Sequence, residues 1–285
     1  MSLAAPDRKS FPEAKVSLDD VIRHSSRPHT RGSLAVELSA LGLRRGDAVI
    51  AHTSLSTIGY VAGGALTVIE ALLDVVGPRG TLVMPAQTAD LTDPGSWRFP
   101  AIPPDWVDTV QAAMPAYDPA RTPTFQLGVV AELFRTWPGV LRSAHPVCSF
   151  AAAGRLAAEI LEPHALDDPF GEASPLARLY ALDARVLLLG TGWTVCTALH
   201  LAERRAYPHA ASETCMSPIL VEGERRLVGW AEYPHDSERF AAIGQVLERA
   251  GEVRIECVGD APARLVSVRD AVDIGVLELT RPAGS

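Results

Sequence analysis

The chain has 285 residues, of which 47% are hydrophobic and 21% charged. That is enough to bury a sizeable core as one large or two modest domains, and it excludes a disordered chain. A net charge of -8 argues against a nucleic-acid partner, which selects clustered Lys and Arg, and suits a cationic small molecule drawn into an acidic cleft.

The opening MSLAAPDRKSFPEAK lacks a signal-peptide pattern, and no apolar run is long enough to cross a bilayer, so a cytoplasmic protein with no membrane partner is expected. Residues 1–30 carry Pro6, Pro12 and Pro28 with little periodicity and read as an arm. A single α/β domain is expected over 31–285. It begins with a helix near Ser33 to Leu41, ended by Gly42, and a strand Ala48 to His52. Gly63-Gly64 opens a second helix, which Gly77-Pro78-Arg79-Gly80 stops, and Thr81 to Met84 is the next buried strand. This strand, helix, strand order predicts a right-handed crossover.

Thr88 to Thr124 is rich in Pro, Asp and Trp without a sustained period, the composition of a functional loop. A helix is predicted over Gly128 to Arg135, a strand over Ser149 to Ala153, and helices over Arg155 to Leu161 and Leu176 to Ala181. The stretch Val186 to Glu203, VLLLGTGWTVCTALHLAE, is the centre of the chain. Its apolar run is a strand buried on both faces, ending at Gly190 and Gly192. Thr194 is the expected cap of the following helix, which would line up Cys196, Thr197, His200, Glu203 and Arg204. A helix starting beyond a buried strand presents its first side chains to a crevice where open α/β sheets bind ligands, and His200 leads the catalytic candidates. Beyond Tyr207 the pattern is hairpin-like around Gly223. A helix at Ser237 to Ala250, a strand at Val253 to Val258 and a tail from Ser267 to Leu279 complete a smaller, β-rich C-terminal part.

Four cysteines, Cys148, Cys196, Cys215 and Cys257, form no CxxC pair and read as reduced thiols. No metal is expected. His164 with Asp167 and Asp168 has ligand chemistry, but a polar loop accounts for those residues as well. The absence of GxxxxGK[ST] and GxGxxG weakens a nucleotide reading.

Taken in order, HTSLSTIGYVAGG, GPRGTLVMP, RSAHPVCSFAAAG, GEASPLARL, VLLLGTG and TALHLAE resemble the aminoglycoside 3-N-acetyltransferase family over about Leu41 to Phe240. The resemblance implies a three-layer α/β/α fold with a central mixed sheet, unrelated to the GNAT acetyltransferases. It also implies acetyl transfer from acetyl-coenzyme A, as cosubstrate, to the 3-amino group of a cationic aminoglycoside, which confers antibiotic resistance, by a monomer or homodimer. His200 resembles the family's general base. Ser54, Leu55, Ser56 and Gly59, with Ser143, His145, Ser149 and Phe150, resemble parts of the coenzyme A site. Asp90, Asp93, Glu203 and Asp236 fall where the cationic substrate is held. The stretch Tyr233-Pro234-His235-Asp236-Ser237 departs from the more acidic sequence the resemblance leads one to expect.

Acetylating an ammonium requires a base to remove its proton, and a histidine suits this because its pKa lies near operating pH. Such a base needs a carboxylate to fix its tautomer. Glu172 ranks first, reaching across the cleft, and Glu203 second, since it more readily touches substrate or a neighbouring backbone group, or makes an ordinary helix-surface ion pair. Outside catalysis, His200 would be a core histidine bonded to a backbone carbonyl, and the serines and glycines would be ordinary turn residues. A rival chemistry pairs Cys196 with His200 as an acyltransferase or hydrolase nucleophile. A non-catalytic small-molecule-binding module on the same fold is the third possibility.

Overall fold

The computed structural model of the chain describes residues 16–97 and 100–282. The first half of the expected N-terminal arm, residues 1–15, lies outside the described residues. In chain order the helices are α1 (Leu18–His24), α2 (Arg31–Leu41), α3 (Leu55–Ile58), α4 (Gly64–Val76), α5 (Val107–Ala113), α6 (Gly128–Arg135), α7 (Ala157–Leu161), α8 (Pro175–Ala181), α9 (Leu199–Ala206), α10 (Phe240–Ala250) and α11 (Val268–Thr280). The strands are β1 (Ala48–Thr53), β2 (Thr81–Pro85), β3 (Leu141–Arg142), β4 (Phe150–Gly154), β5 (Arg185–Leu189), β6 (Glu213–Val221), β7 (Glu224–Glu232), β8 (Arg254–Val258) and β9 (Ala261–Ser267).

Seven strands form one mixed sheet in the order β3-β4-β2-β1-β5-β9-β8, with β1 parallel to both β2 and β5 and the outer pairs antiparallel. Alternate residues of the central strands enter two separate cores, as the twofold period of a strand requires. Ile50, Val83, Val186 and Leu188 pack with α7 to α11, whereas Val49, Leu82, Leu187 and Leu189 pack with α2, α4 and α6. The molecule is therefore a three-layer α/β/α sandwich, and its apolar strands are covered on both faces.

Residues 16–30 are more regular than their sequence suggests. Ser17 caps α1 through its side chain, and Thr30 with Ser33 makes a capping box at the start of α2. The Thr88 to Thr124 stretch likewise contains α5 and short 3₁₀ turns. β6 and β7 pair along their length as a separate hairpin turning at Glu222-Gly223. That hairpin is moored to the long loop by Tyr117 N–H donating to Pro218 O at 2.8 Å and by Ser217 Oγ donating to Leu91 O at 2.6 Å. Its end, with buried Trp230, enters the same core as α9, which brings residues 232–236 alongside that helix.

At the C-terminal ends of the parallel strands the chain turns sharply. Gly190 has φ +71°, and a Cβ there would stand 3.0 Å from Thr57 Cβ. Only glycine lets the β5 and β1 loops come this close.

Candidate active site

A cavity of about 750 Å³ opens at the C-terminal edge of β1, β2 and β5, the position where open α/β sheets bind ligands and within the size range of such sites. Its wall includes Ser54, Leu55, Ser56, Gly59 and Gly64, faced by residues 126–131 at the start of α6. His52 and Thr191 also line it, and His52 Nε2 and Thr191 Oγ1 are buried without hydrogen-bond partners. An orphaned polar atom costs about 1–3 kcal/mol, which a ligand supplying a partner would offset. Burial, aided by nearby His200, depresses His52 to about 3 and keeps it neutral. These features fit the amide-rich arm of coenzyme A.

His200 does not itself line this cavity but is close enough to His52, which does, for its charge to depress that ring. The central helix starts later than Thr194 would set it. A 3₁₀ turn covers Trp193–Val195, α9 begins at Leu199, and its N-terminus has no side-chain cap. His200 therefore stands in the first turn of α9, with 14% of its side chain exposed. Nδ1 lies 2.6 Å from Glu203 Oε2, three residues on along the helix. Phe170 stacks on the ring at 4.7 Å, and Phe240 and His235 meet it edge-on at 4.9 Å each. Burial pulls the His200 pKa below 6.5 against the opposing pull of Glu203. Burial alone would raise Glu203, but the bonds from His200 and the Asp236 N–H, with the His235 ring close by, hold it well below the usual carboxylate range.

Glu172 is not the orienting carboxylate. It pairs with Arg205, Nε to Oε1 at 2.7 Å, and its side chain is 68% exposed, so the charge of Arg205 holds it away from His200. The carboxylate bonded to His200 is Glu203. It was expected to hold substrate, but both of its oxygens bond to protein groups.

The Cys196 nucleophile also fails. Cys196 precedes α9, so the helical spacing that would have paired it with His200 does not exist. Its thiol is fully buried, and burial raises it to about 12, leaving no thiolate at neutral pH.

The second half of the expected coenzyme site is wall, not surface. Ser143, His145, Ser149 and Phe150 are all buried and absent from the cavity lining. Ser143 Oγ accepts from Phe150 N–H at 2.9 Å and meets His164 Nδ1 at 2.9 Å, while Ser149 Oγ donates to Ala86 O at 2.7 Å. His145 Nδ1 accepts backbone N–H bonds from Val147 and Cys148. These side chains brace the aromatic wall that reaches His200 through Phe150 and Phe170. His164 is spent in the same wall, since its Nε2 bonds to Pro169 O.

Asp90 and Asp236 are exposed, and Asp93 is half-buried, accepting from Gly95 N–H and Gln111 Nε2. None of the three lines the cavity. Sequence reading missed Glu232 and His235, which join the site from the end of β7 and the loop after it. His235 Nε2 lies 3.0 Å from Glu232 Oε1 and its Nδ1 3.8 Å from Glu203 Oε2. The one available signal was a histidine in a stretch expected to be acidic.

Among the described residues, His200, Glu203 and His235 form the one group with cation-ligand spacing, their donor atoms lying within 4.8 Å of one another. The short His200–Glu203 bond and the carboxylates on either side of His235 account for these atoms as a hydrogen-bonded charge cluster.

A histidine–carboxylate pair near an open cavity at the strand ends of an α/β/α sandwich marks an enzyme site able to move a proton. Comparisons with known proteins agree. The family model described as aminoglycoside 3-N-acetyltransferase matches residues 50–280. The chain is 46% identical to aminoglycoside N(3)-acetyltransferase IX of Micromonospora chalcea, over 81% of this chain and 82% of that one. The crystal structure of YokD from Bacillus subtilis superposes with a TM-score of 0.90 at 41% identity, covering 92% of this chain and 97% of the other. A solved structure described as AAC-IIIb binary with CoASH gives 0.79 at 33% identity, covering 89% and 97%. The protein belongs to the aminoglycoside 3-N-acetyltransferase family.

Proposed function

We propose that this protein moves acetyl from acetyl-coenzyme A to the 3-amino group of an aminoglycoside, with His200 as general base and Glu203 as the carboxylate that orients it. The observation carrying this reading is the 2.6 Å bond between His200 Nδ1 and Glu203 Oε2. An ionised carboxylate only accepts, so the proton sits on Nδ1 and the lone pair on Nε2. Nε2 then takes a proton from the substrate ammonium, and Glu203 stabilises the imidazolium that results. The freed nitrogen attacks the thioester carbonyl carbon. The N–C bond forms as the C–S bond breaks, and the departing thiolate takes up a proton.

Ser54, Leu55, Ser56 and Gly59, with His52 and Thr191, furnish the coenzyme wall in this reading, supported by their place around the cavity. Asp90, Asp93 and Asp236 supply a diffuse negative field that draws in the polycationic acceptor, each exposed charge adding little by itself. The cytoplasm, with its acetyl-coenzyme A and reduced thiols, is the compartment this chemistry suits. Residues 31–285 act as one domain, a reading supported by a sheet that pairs β1 with β5 and β5 with β9.

The test is thiol release from acetyl-coenzyme A against a panel of aminoglycosides and simpler amines, with mass spectrometry locating the acetyl group. Acetylation at the 3-amino position is expected. Coenzyme binding without turnover would leave a binding module, and acetylation at another nitrogen would overturn the regiochemistry.

A further inference from the structure

Two carboxylates, Glu203 of α9 and Glu232 at the end of β7, are mostly buried, with side-chain exposures of 7% and 18%. Neither is paired with an arginine among the described residues. Both face one ring instead. His235 Nε2 lies 3.0 Å from Glu232 Oε1, and His235 Nδ1 lies 3.8 Å from Glu203 Oε2, the oxygen that bonds to His200. We infer that His235 is a positioning residue, an imidazolium wedged between Glu203 and Glu232 that keeps the neighbouring His200 unprotonated and ready to act; the inference rests on the reading of His200 as base.

The wedge is held from several sides. Trp230 Nε1 donates to Glu232 Oε2 at 2.9 Å, and Asp236 N–H donates to Glu203 Oε1 at 2.8 Å. Arg204 lies 3.5 Å over the Tyr233 ring and is itself fixed by Asp168 at 2.8 Å. The segment from Trp230 to Asp236 is thereby clamped to α9.

The titratable groups facing His235 are Glu203 and His200 from α9 and Glu232 from β7, while Phe170 adds an uncharged ring at 5.0 Å. His200 in turn feels Glu203, Glu232, His235 and, from β1, His52. Burial opposes a charge on His235, but the two carboxylates outweigh it and lift its pKa to about 9.

The charge balance explains the role. With both carboxylates ionised, protonated His235 leaves one net negative charge around a neutral His200, and the cluster becomes neutral when His200 takes the substrate's proton. Without that positive charge, two anions would hold a proton on His200 before substrate arrived. The base would be blocked at neutral pH.

The test uses the full chain and the variants His235→Gln and His235→Lys. ¹⁵N NMR of the ligand-free protein should find both His235 nitrogens protonated at about pH 7.5. In His235→Gln the His200 midpoint should rise by about one pH unit. The acidic limb of kcat/KM should move upward with it, leaving a loss that approaches tenfold below about pH 5.5, is roughly threefold to fivefold at about pH 6.5 and largely recovers at about pH 8.5. His235→Lys, which returns the charge, should restore much of the neutral-pH activity.

A merely structural role would lower activity equally at every pH and would overturn the inference. So would a neutral His235 at about pH 7.5 or an unmoved His200 midpoint. If His235→Gln fails to fold, the wild-type titration decides. If the wild type releases no thiol with any acceptor, the functional reading fails, and the NMR titrations still judge the wedge.

Discussion

His200 and Glu203 face each other across 2.6 Å within the first turn of α9, and the chemistry proposed for this protein follows from that contact. His200→Ala should lower kcat by roughly 10² to 10⁴-fold while coenzyme A binding, followed by calorimetry, stays close to wild type. Glu203→Gln should lower kcat by up to roughly 10⁴-fold, because an amide neither fixes the tautomer nor stabilises the imidazolium. Because burial draws His200 below 6.5, the acidic limb of kcat/KM, corrected for amine ionisation, should have its midpoint below that value. A midpoint above it would contradict a neutral resting base.

Glu172→Gln separates the two carboxylates. Its bond to Arg205 is an exposed ion pair, for which a stability change of about 0–1 kcal/mol is expected. Steady-state kinetics should be unchanged. A loss matching that of Glu203→Gln would put Glu172 back in the catalytic role.

Cys196→Ala distinguishes direct transfer from an acyl-enzyme. The thiol is buried with its pKa raised to about 12, so most turnover should survive, with sequential rather than ping-pong kinetics. Acetylated Cys196 in a trapped reaction would refute direct transfer.

Gly244 of α10 has no room for a methyl group, since a Cβ there would stand 2.0 Å from Trp193 Cγ. Trp193 is tethered through Nε1 to Glu248 at 2.8 Å and yields little. Gly244→Ala should destabilise by about 1–3 kcal/mol or more, read from denaturant midpoints, and should disturb the 3₁₀ turn ahead of α9. An unchanged midpoint would mean that the ring moves freely.

Stability should fall on both sides of neutrality. Burial holds His52, His145 and His164 neutral, with pKa values lowered to about 3, 4 and 3. On unfolding these rings take up protons below the ordinary 6.5, so Tm should drop as pH falls from there. His235 works in the other direction. Raised to about 9, it contributes stability fully present below 6.5 and lost as pH rises through 9. Scanning calorimetry from about pH 5 to 9.5 checks both limbs, and a His235→Gln scan should lose the alkaline one.

The layer order, the parallel centre of the sheet and the place of His200 just beyond the end of β5 were legible in the sequence because each is a local signal. The run Val186 to Leu189 can only be a strand covered on both faces, its glycines mark where it stops, and TALHLAE follows at once. The α6 and hairpin predictions held for the same reason, their periodicity and turn residues being contiguous.

What the sequence did not determine was which distant groups meet. Glu172 ranked ahead of Glu203 as the partner of His200, and the tertiary structure reversed that order by pairing Glu172 with Arg205 and Glu203 with His200. Ser143 to Phe150 looked like a ligand segment until packing buried it, since hydroxyls and imidazoles read alike whether they face water or brace a core. His235 reaches the site only because the β6–β7 hairpin folds back over the long loop and carries Trp230 into the core beside α9. Linear order records the chemical type of a side chain and its local period; whether its charge is shielded, shared or exposed depends on neighbours that burial selects.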